Sequence, residues 1–135
     1  MVSYWLVKEE PEHYSFDDLI QDRKTGWNGV RNNLALKHMR SMKNGDLAFF
    51  YHTGKVTSVV GIIKLVSDPY PDPEEKDPKL VVVDVAPVEK LKRPVTLAEI
   101  KSNPKFRNFE LVRIPRLSVM PAPKALWDEI IKMSK

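Results

Sequence analysis

Cysteine is missing from this chain, which excludes disulfide frameworks, thiolate zinc sites and a cysteine nucleophile and suits a reducing compartment. Histidine is scarce. His13, His38 and His52 are its three copies, and their spacing sets no two of them on one helix face as metal ligands. Glycine is limited to five positions, and the sequence contains no Walker loop, no GxGxxG and no GxSxG. The acidic residues Asp68, Asp72, Asp77 and Asp84 lack the glycine and terminal glutamate of a calcium-binding EF-hand. No metal, no cofactor and no catalytic constellation is therefore expected, and the chain is read as something other than an enzyme. Long apolar runs are absent too: none approaches the ~20 residues that span a bilayer, so no membrane association is expected. The start, "SYWLVK", shows neither a basic region nor a small-residue cleavage site. That predicts a cytoplasmic protein, or a nuclear one in a eukaryote.

What is present fits one domain over residues 1–135, with 42% hydrophobic and 30% charged residues and no low-complexity tract. The net charge of +4 is modest, but it is laid out in blocks. Glu9 to Asp22 holds six acidic and no basic residues, whereas Arg23 to Lys64 holds eight basic residues against Asp46. Asp68 to Asp84 is acidic again, six to two, and Val85 to Lys135 is basic, eleven to five. Alternating blocks suggest a molecule with one positive and one negative face.

The pattern of elements is irregular. "SYWLVK" reads as a strand broken by Glu10-Pro11. Ser15 with Asp18 forms a capping box for a short helix reaching about Lys24. Gly26 to Asn32 reads as loop, and Asn33 as the cap of a helix carrying Leu34, Leu36 and Met39. "DLAFFYH" and "SVVGIIKLV" are two strands joined at Thr53-Gly54, and "LVVVDVAPV" is a buried strand. The segment between them, "SDPYPDPEEKDPK", carries four of the eleven prolines and reads as an extended acidic loop. Thr96 with Glu99 opens another helix, "FELVRI" reads as a last strand, and "APKALWDEIIKMSK" as a terminal helix burying Trp127. Five or six strands with three or four short helices, lacking βαβ alternation, predict an α+β fold around a curved or barrel-like sheet.

The stretch "TGWNGVRNNLAL" fits no core element. A nucleobase pocket needs a flat aromatic wall for the ring face and amide or guanidinium groups for the base edge. Trp27, Asn28, Arg31 and Asn32 supply these within six residues, and Gly26 and Gly29 permit close backbone approach. The alternative is that Trp27 plugs the barrel mouth as core. In a regular strand Trp5 and Lys8 point to opposite faces, as do Tyr51 and His52.

The ordered motifs "YWLVKEEP", "WNGVRNNLA", "MKNGDLAFFYH", "YPDP", "VVVDV", "RPVTLAEIK" and "RLSVMP" closely resemble the EVE domain family, whose members include small bacterial and archaeal proteins and the thymocyte nuclear protein of animals. The resemblance runs from Tyr4 to the terminal helix. It implies a PUA-like mixed β-barrel of five to six strands flanked by short helices, and a reader of modified bases, notably modified cytosine in DNA. The family's W-x-G-V-R-N element falls on Trp27, Gly29, Val30, Arg31 and Asn32, its tyrosine–histidine pair on Tyr51 and His52. Its R-L-S-V element falls on Arg116, Leu117, Ser118 and Val119, and its first-strand lysine on Lys8. The chain departs from the family at Glu9, where serine is usual, and at Asn28, where aspartate is usual. It departs again at Asn33 and Leu36, where an aromatic and an arginine are common.

Together these readings describe a non-catalytic module that holds an extruded, modified base in DNA or RNA. Trp27 would stack on the base, with Trp5 or Tyr51 as a second wall, and Asn28, Gly29, Val30 and Leu117 would shape the pocket. Asn32, His52 and Ser118 would read the base edge. Lys8, Arg31 and Arg116 would sit at the rim, and Lys37, Arg40 and Lys43 would extend a positive track. The same pocket in an enzyme or sensor for a free nucleotide is the alternative, and the acidic loop of a protein adaptor is a third.

Overall fold

The computed structural model describes residues 2–135. Its centre is a curled half-barrel sheet of six strands in the order β2-β6-β4-β3-β1-β7. These are β1 (Tyr4–Glu9), β2 (Thr25–Trp27), β3 (Leu47–His52), β4 (Ser58–Leu65), β6 (Val81–Thr96) and β7 (Val119–Pro121). A two-residue strand, β5 (Tyr70–Pro71), pairs with β6 to one side. Only β1 and β3 run parallel; every other pair is antiparallel. Helices α1 (Phe16–Asp22), α2 (Asn33–Arg40), α3 (Leu97–Ser102), α4 (Glu110–Arg113) and α5 (Lys124–Met133) surround it. This is the α+β, PUA-like architecture that the sequence predicts.

Curvature has identifiable causes. The register slips between Phe50 and Tyr51, between Val59 and Gly61, and between Ile62 and Ile63. Each slip is an irregularity that bends a strand and raises its twist. Gly61 is required at one of them: a Cβ there would lie 2.4 Å from the Phe16 ring. Phe16, the first residue of α1, therefore seals that side of the sheet against β4.

Both expected capping boxes form, Ser15 with Asp18 and Thr96 with Glu99, because such boxes depend only on residues three apart. On the terminal helix, Trp127 stacks on Phe49 with ring centroids 3.8 Å apart. Three expectations change. The cap of α2 is Asn32, whose Oδ1 accepts from the Ala35 N–H at 3.0 Å, so Asn33 becomes the first helical residue. "FELVRI" is not a strand; Glu110–Arg113 makes the single turn α4, burying Leu111 while Phe109 anchors its start. Trp27 belongs to β2 and not to a loop, and the buried strand that begins at Val81 continues for 16 residues.

One buried carboxylate ties the sheet together. Asp46 is 2% exposed and accepts from Ser3 N at 3.0 Å, Trp5 Nε1 at 2.9 Å and Lys43 N at 3.0 Å. Three donors satisfy a charge that would otherwise be costly to bury, and they clamp the start of β1 beside the turn that leads into β3.

Candidate functional site

Strand β2 is short and lies at the sheet edge, pairing antiparallel with β6 through Trp27 opposite Val83. Its inward side chain is Trp27, 5% exposed and part of the core cluster. Beyond it the chain turns through Gly29, whose φ of +82° is comfortable only for a residue without Cβ. It then buries Val30 and enters α2 at the Asn32 cap. Facing this turn is the end of β1. There Lys8 N donates to Ser118 O at 2.9 Å, joining the start of β7 to the same wall.

Two adjoining hollows open between these walls, and both are bordered by Glu9, His13, Trp27 and Asn28. The larger, about 220 Å³, continues past Gly29 and Val30 to Lys8, Arg31 and Ser118. The smaller, about 130 Å³, continues to Tyr14, Thr25 and Gly26. Trp27 is thus both core residue and border of the two hollows, although it is 5% exposed. Its Nε1 lies below the surface without a hydrogen-bond partner among the described residues.

The charges here are held in place. Lys8 Nζ donates to the Pro115 carbonyl at 2.9 Å and sits 5.5 Å from the centre of the Tyr51 ring. Burial pushes its pKa below the usual lysine value. Glu9 Oε1 accepts from the Glu10 N–H at 3.1 Å and lies 3.0 Å from His13 Nδ1. Arg31 pairs with Glu75 of the acidic loop, Nη2 to Oε1 3.0 Å, with both side chains largely exposed. An exposed pair of this kind contributes about 0–1 kcal/mol and yields readily to a stronger anion.

Of the residues singled out in the sequence, Trp27, Asn28, Gly29, Val30, Arg31, Lys8 and Ser118 come together at the larger hollow. Others go elsewhere. Trp5 is buried against Asp46 and near the His38 ring, and does not border the hollows. Asn32 spends its carbonyl oxygen on the α2 cap. Tyr51 is 2% exposed and serves as a floor under the Lys8 ammonium. Leu117 is core. His52 accepts from the Phe16 N–H through Nε2 at 3.0 Å and faces a different hollow, beside Pro11, Thr53 and Val56. Burial holds its pKa below the usual histidine value; the Asp17 charge opposes that shift and Lys90 reinforces it.

Arg116, Lys37 and Lys43 are exposed and lie outside the hollows. Arg40 donates to the Lys79 carbonyl at 3.2 Å, so the acidic loop also reaches α2. His13 and Tyr14 border the hollows without any signal in the sequence, since only the fold brings the segment after β1 beside β2. Glu9 and Asn28, the two departures nearest the site, face the same cavity. Among the described residues no group of three or more histidine, aspartate or glutamate side chains could hold a metal ion, and no helix is long and apolar enough to cross a membrane.

A half-barrel with one parallel strand pair, opening at its edge into a hollow bordered by Trp27, Lys8 and Arg31, defines a PUA-like fold. The chain belongs to the EVE domain family, whose model matches residues 3–133. It is similar to human thymocyte nuclear protein 1, at 33% identity over 98% of this chain and 74% of that protein. A crystal structure of an Agrobacterium tumefaciens protein superposes with a TM-score of 0.94 at 38% identity, covering 98% of this chain and 93% of that one. The crystal structure of human THYN1 in complex with 5-methylcytosine-containing DNA gives a TM-score of 0.91 at 33% identity, covering 98% of both chains.

Proposed function

We propose that this protein binds DNA without catalysing a reaction, holding an extruded modified cytosine in the hollow beside Trp27. The observation that carries the reading is the joint one: an indole wall, amide and hydroxyl groups and two cations border one hollow, in a chain that superposes on a relative solved with 5-methylcytosine-containing DNA. The energetics are compatible. Extruding a base costs a few kcal/mol, which stacking worth ~1–3 kcal/mol together with phosphate contacts can offset. Lys8, anchored by the Pro115 carbonyl, supplies a fixed positive charge at the inner wall. Arg31, released from Glu75, supplies a mobile one at the rim.

A buried methyl adds only ~0.8 kcal/mol, about fourfold in affinity, so methyl recognition here rests on fit. Fluorescence anisotropy with duplexes carrying cytosine or 5-methylcytosine, at two salt concentrations, tests the proposal. The expected result is binding that weakens as salt rises and favours the methylated duplex several-fold. Equal affinity for both duplexes, or binding indifferent to salt, would reject it.

A further inference from the structure

Glu9 borders both hollows together with Trp27 and Asn28. Its side chain is 19% exposed, so the carboxylate is neither a solvated surface charge nor part of the core. Oε1 is occupied by the Glu10 N–H and His13 Nδ1, two contacts that fix the plane of the carboxyl group. Oε2 receives no hydrogen bond from the described residues. Lys8, Arg31, Ser118 and Asn28 also border the larger hollow; the first two carry donors only, whereas the hydroxyl and the amide can donate or accept. Among them Glu9 alone carries a carboxylate, an acceptor that cannot donate when ionised.

The complement of that pattern is a ring with one amino donor beside acceptors. Cytosine carries the N4 amino group next to its ring nitrogen and carbonyl oxygen, whereas thymine carries the acceptor O4 at the same position. 5-Methylcytosine and thymine share the methyl group, so contact with the methyl cannot tell them apart. A carboxylate can: O4 opposite Oε2 sets acceptor against acceptor and leaves both desolvated and unpaired. We propose that Glu9 is a specificity-determining residue of this hollow, its Oε2 accepting from the exocyclic amino group of a cytosine-type base and rejecting thymine and uracil. The inference rests on the base-binding reading above.

The test uses duplexes in which 5-methylcytosine or thymine faces an abasic site, so that neither base pairs and extrusion costs are alike. The full chain should prefer 5-methylcytosine by about ten- to a hundredfold. In Glu9→Gln, whose amide can turn its NH₂ toward O4, the ratio should fall to within about threefold, mainly through tighter binding of thymine. Glu9→Ala should instead lose affinity for 5-methylcytosine and bind thymine more tightly than the parent, though less tightly than Glu9→Gln does. A parent protein that binds both duplexes equally, or a Glu9→Gln variant that keeps the parental ratio, overturns the role of Glu9 while base binding stands. Failure of the parent to bind either duplex removes the base-binding reading and this inference together.

Discussion

Two indoles of this fold are both buried, yet their nitrogens differ, and substituting each with phenylalanine should produce opposite phenotypes. Trp5 Nε1 donates to the buried Asp46 carboxylate at 2.9 Å, while Trp27 Nε1 has no partner among the described residues. Exchanging indole for phenyl removes similar apolar surface at either site, about 1–2 kcal/mol at ~0.8 kcal/mol per methylene-sized group. Trp5→Phe also deletes a hydrogen bond to a charged group, about 1.5–3 kcal/mol, which with the lost apolar surface makes a total of about 2.5–5 kcal/mol. Trp27→Phe deletes a donor that was desolvated without compensation, and the relief of ~1 kcal/mol or more leaves a net cost near about 0–1 kcal/mol. At about 4 °C per kcal/mol for a chain of this size, Trp5→Phe should lower Tm by about 10–20 °C, and Trp27→Phe by no more than about 4 °C. DNA binding should show the reverse order. Trp27→Phe shrinks the stacking wall and weakens binding by up to ~1 kcal/mol, about fivefold; Trp5→Phe, measured well below its Tm, leaves affinity unchanged. Thermal denaturation and anisotropy titration of the two variants decide it. A Trp27→Phe protein that melts at or below Trp5→Phe, or a folded Trp5→Phe protein with impaired binding, would refute the reasoning. Trp27→Ala is the poorer probe, since emptying the site of a 5%-exposed indole costs about 3–5 kcal/mol of stability and confounds binding with folding.

Two further predictions follow from the charges. Arg31→Gln should reduce the slope of log K against log salt by about 0.9, one phosphate contact, and Glu75→Gln, which frees Arg31 from its ion pair, should raise affinity at low salt; an unchanged slope in the first variant would exclude Arg31 from the rim. Burial holds the His52 pKa below its unfolded value, and neutral Nε2 is the acceptor for the Phe16 N–H. The unfolded chain therefore binds the proton more readily, so stability rises with pH through this window and is lost as pH falls below about 6.5 toward the folded pKa. Denaturant titrations from pH 7 to pH 5 should show that loss, and His52→Gln should flatten it.

Local chemistry was legible in the sequence, and long-range partnerships were not. The two capping boxes and the tight turn at Gly54 depend on neighbours within a few residues, and they appear where the residues predict them. Trp5 and His52 have the side chains of a base-binding site, but each is used by a carboxylate or backbone group that the fold delivers, while Asn32 is taken by the local cap of α2. Trp5 meets Asp46 across 41 residues and His52 meets Phe16 across 36, separations at which residue pattern carries no information. "FELVRI" reads as a strand, yet Phe109 and Leu111 bury against the core from a single helical turn. The acidic loop reads as solvated, whereas Glu75 and the Lys79 carbonyl engage Arg31 and Arg40 of the positive block. In the site itself, the contiguous stretch Trp27 to Arg31 was visible because a turn displays consecutive side chains around one hollow. His13 and Tyr14 were not, because their approach to Trp27 is made by the sheet.

The central claim is that Trp27 meets the bound base, and its indole N–H reports on this directly. The three tryptophans of the chain give three indole resonances in a ¹H–¹⁵N correlation spectrum, assignable with the phenylalanine variants. Titration with a duplex containing 5-methylcytosine should move the Trp27 resonance while Trp5, bonded to Asp46, and Trp127, stacked on Phe49, stay in place. Saturated binding that leaves the Trp27 resonance where it was would contradict the account.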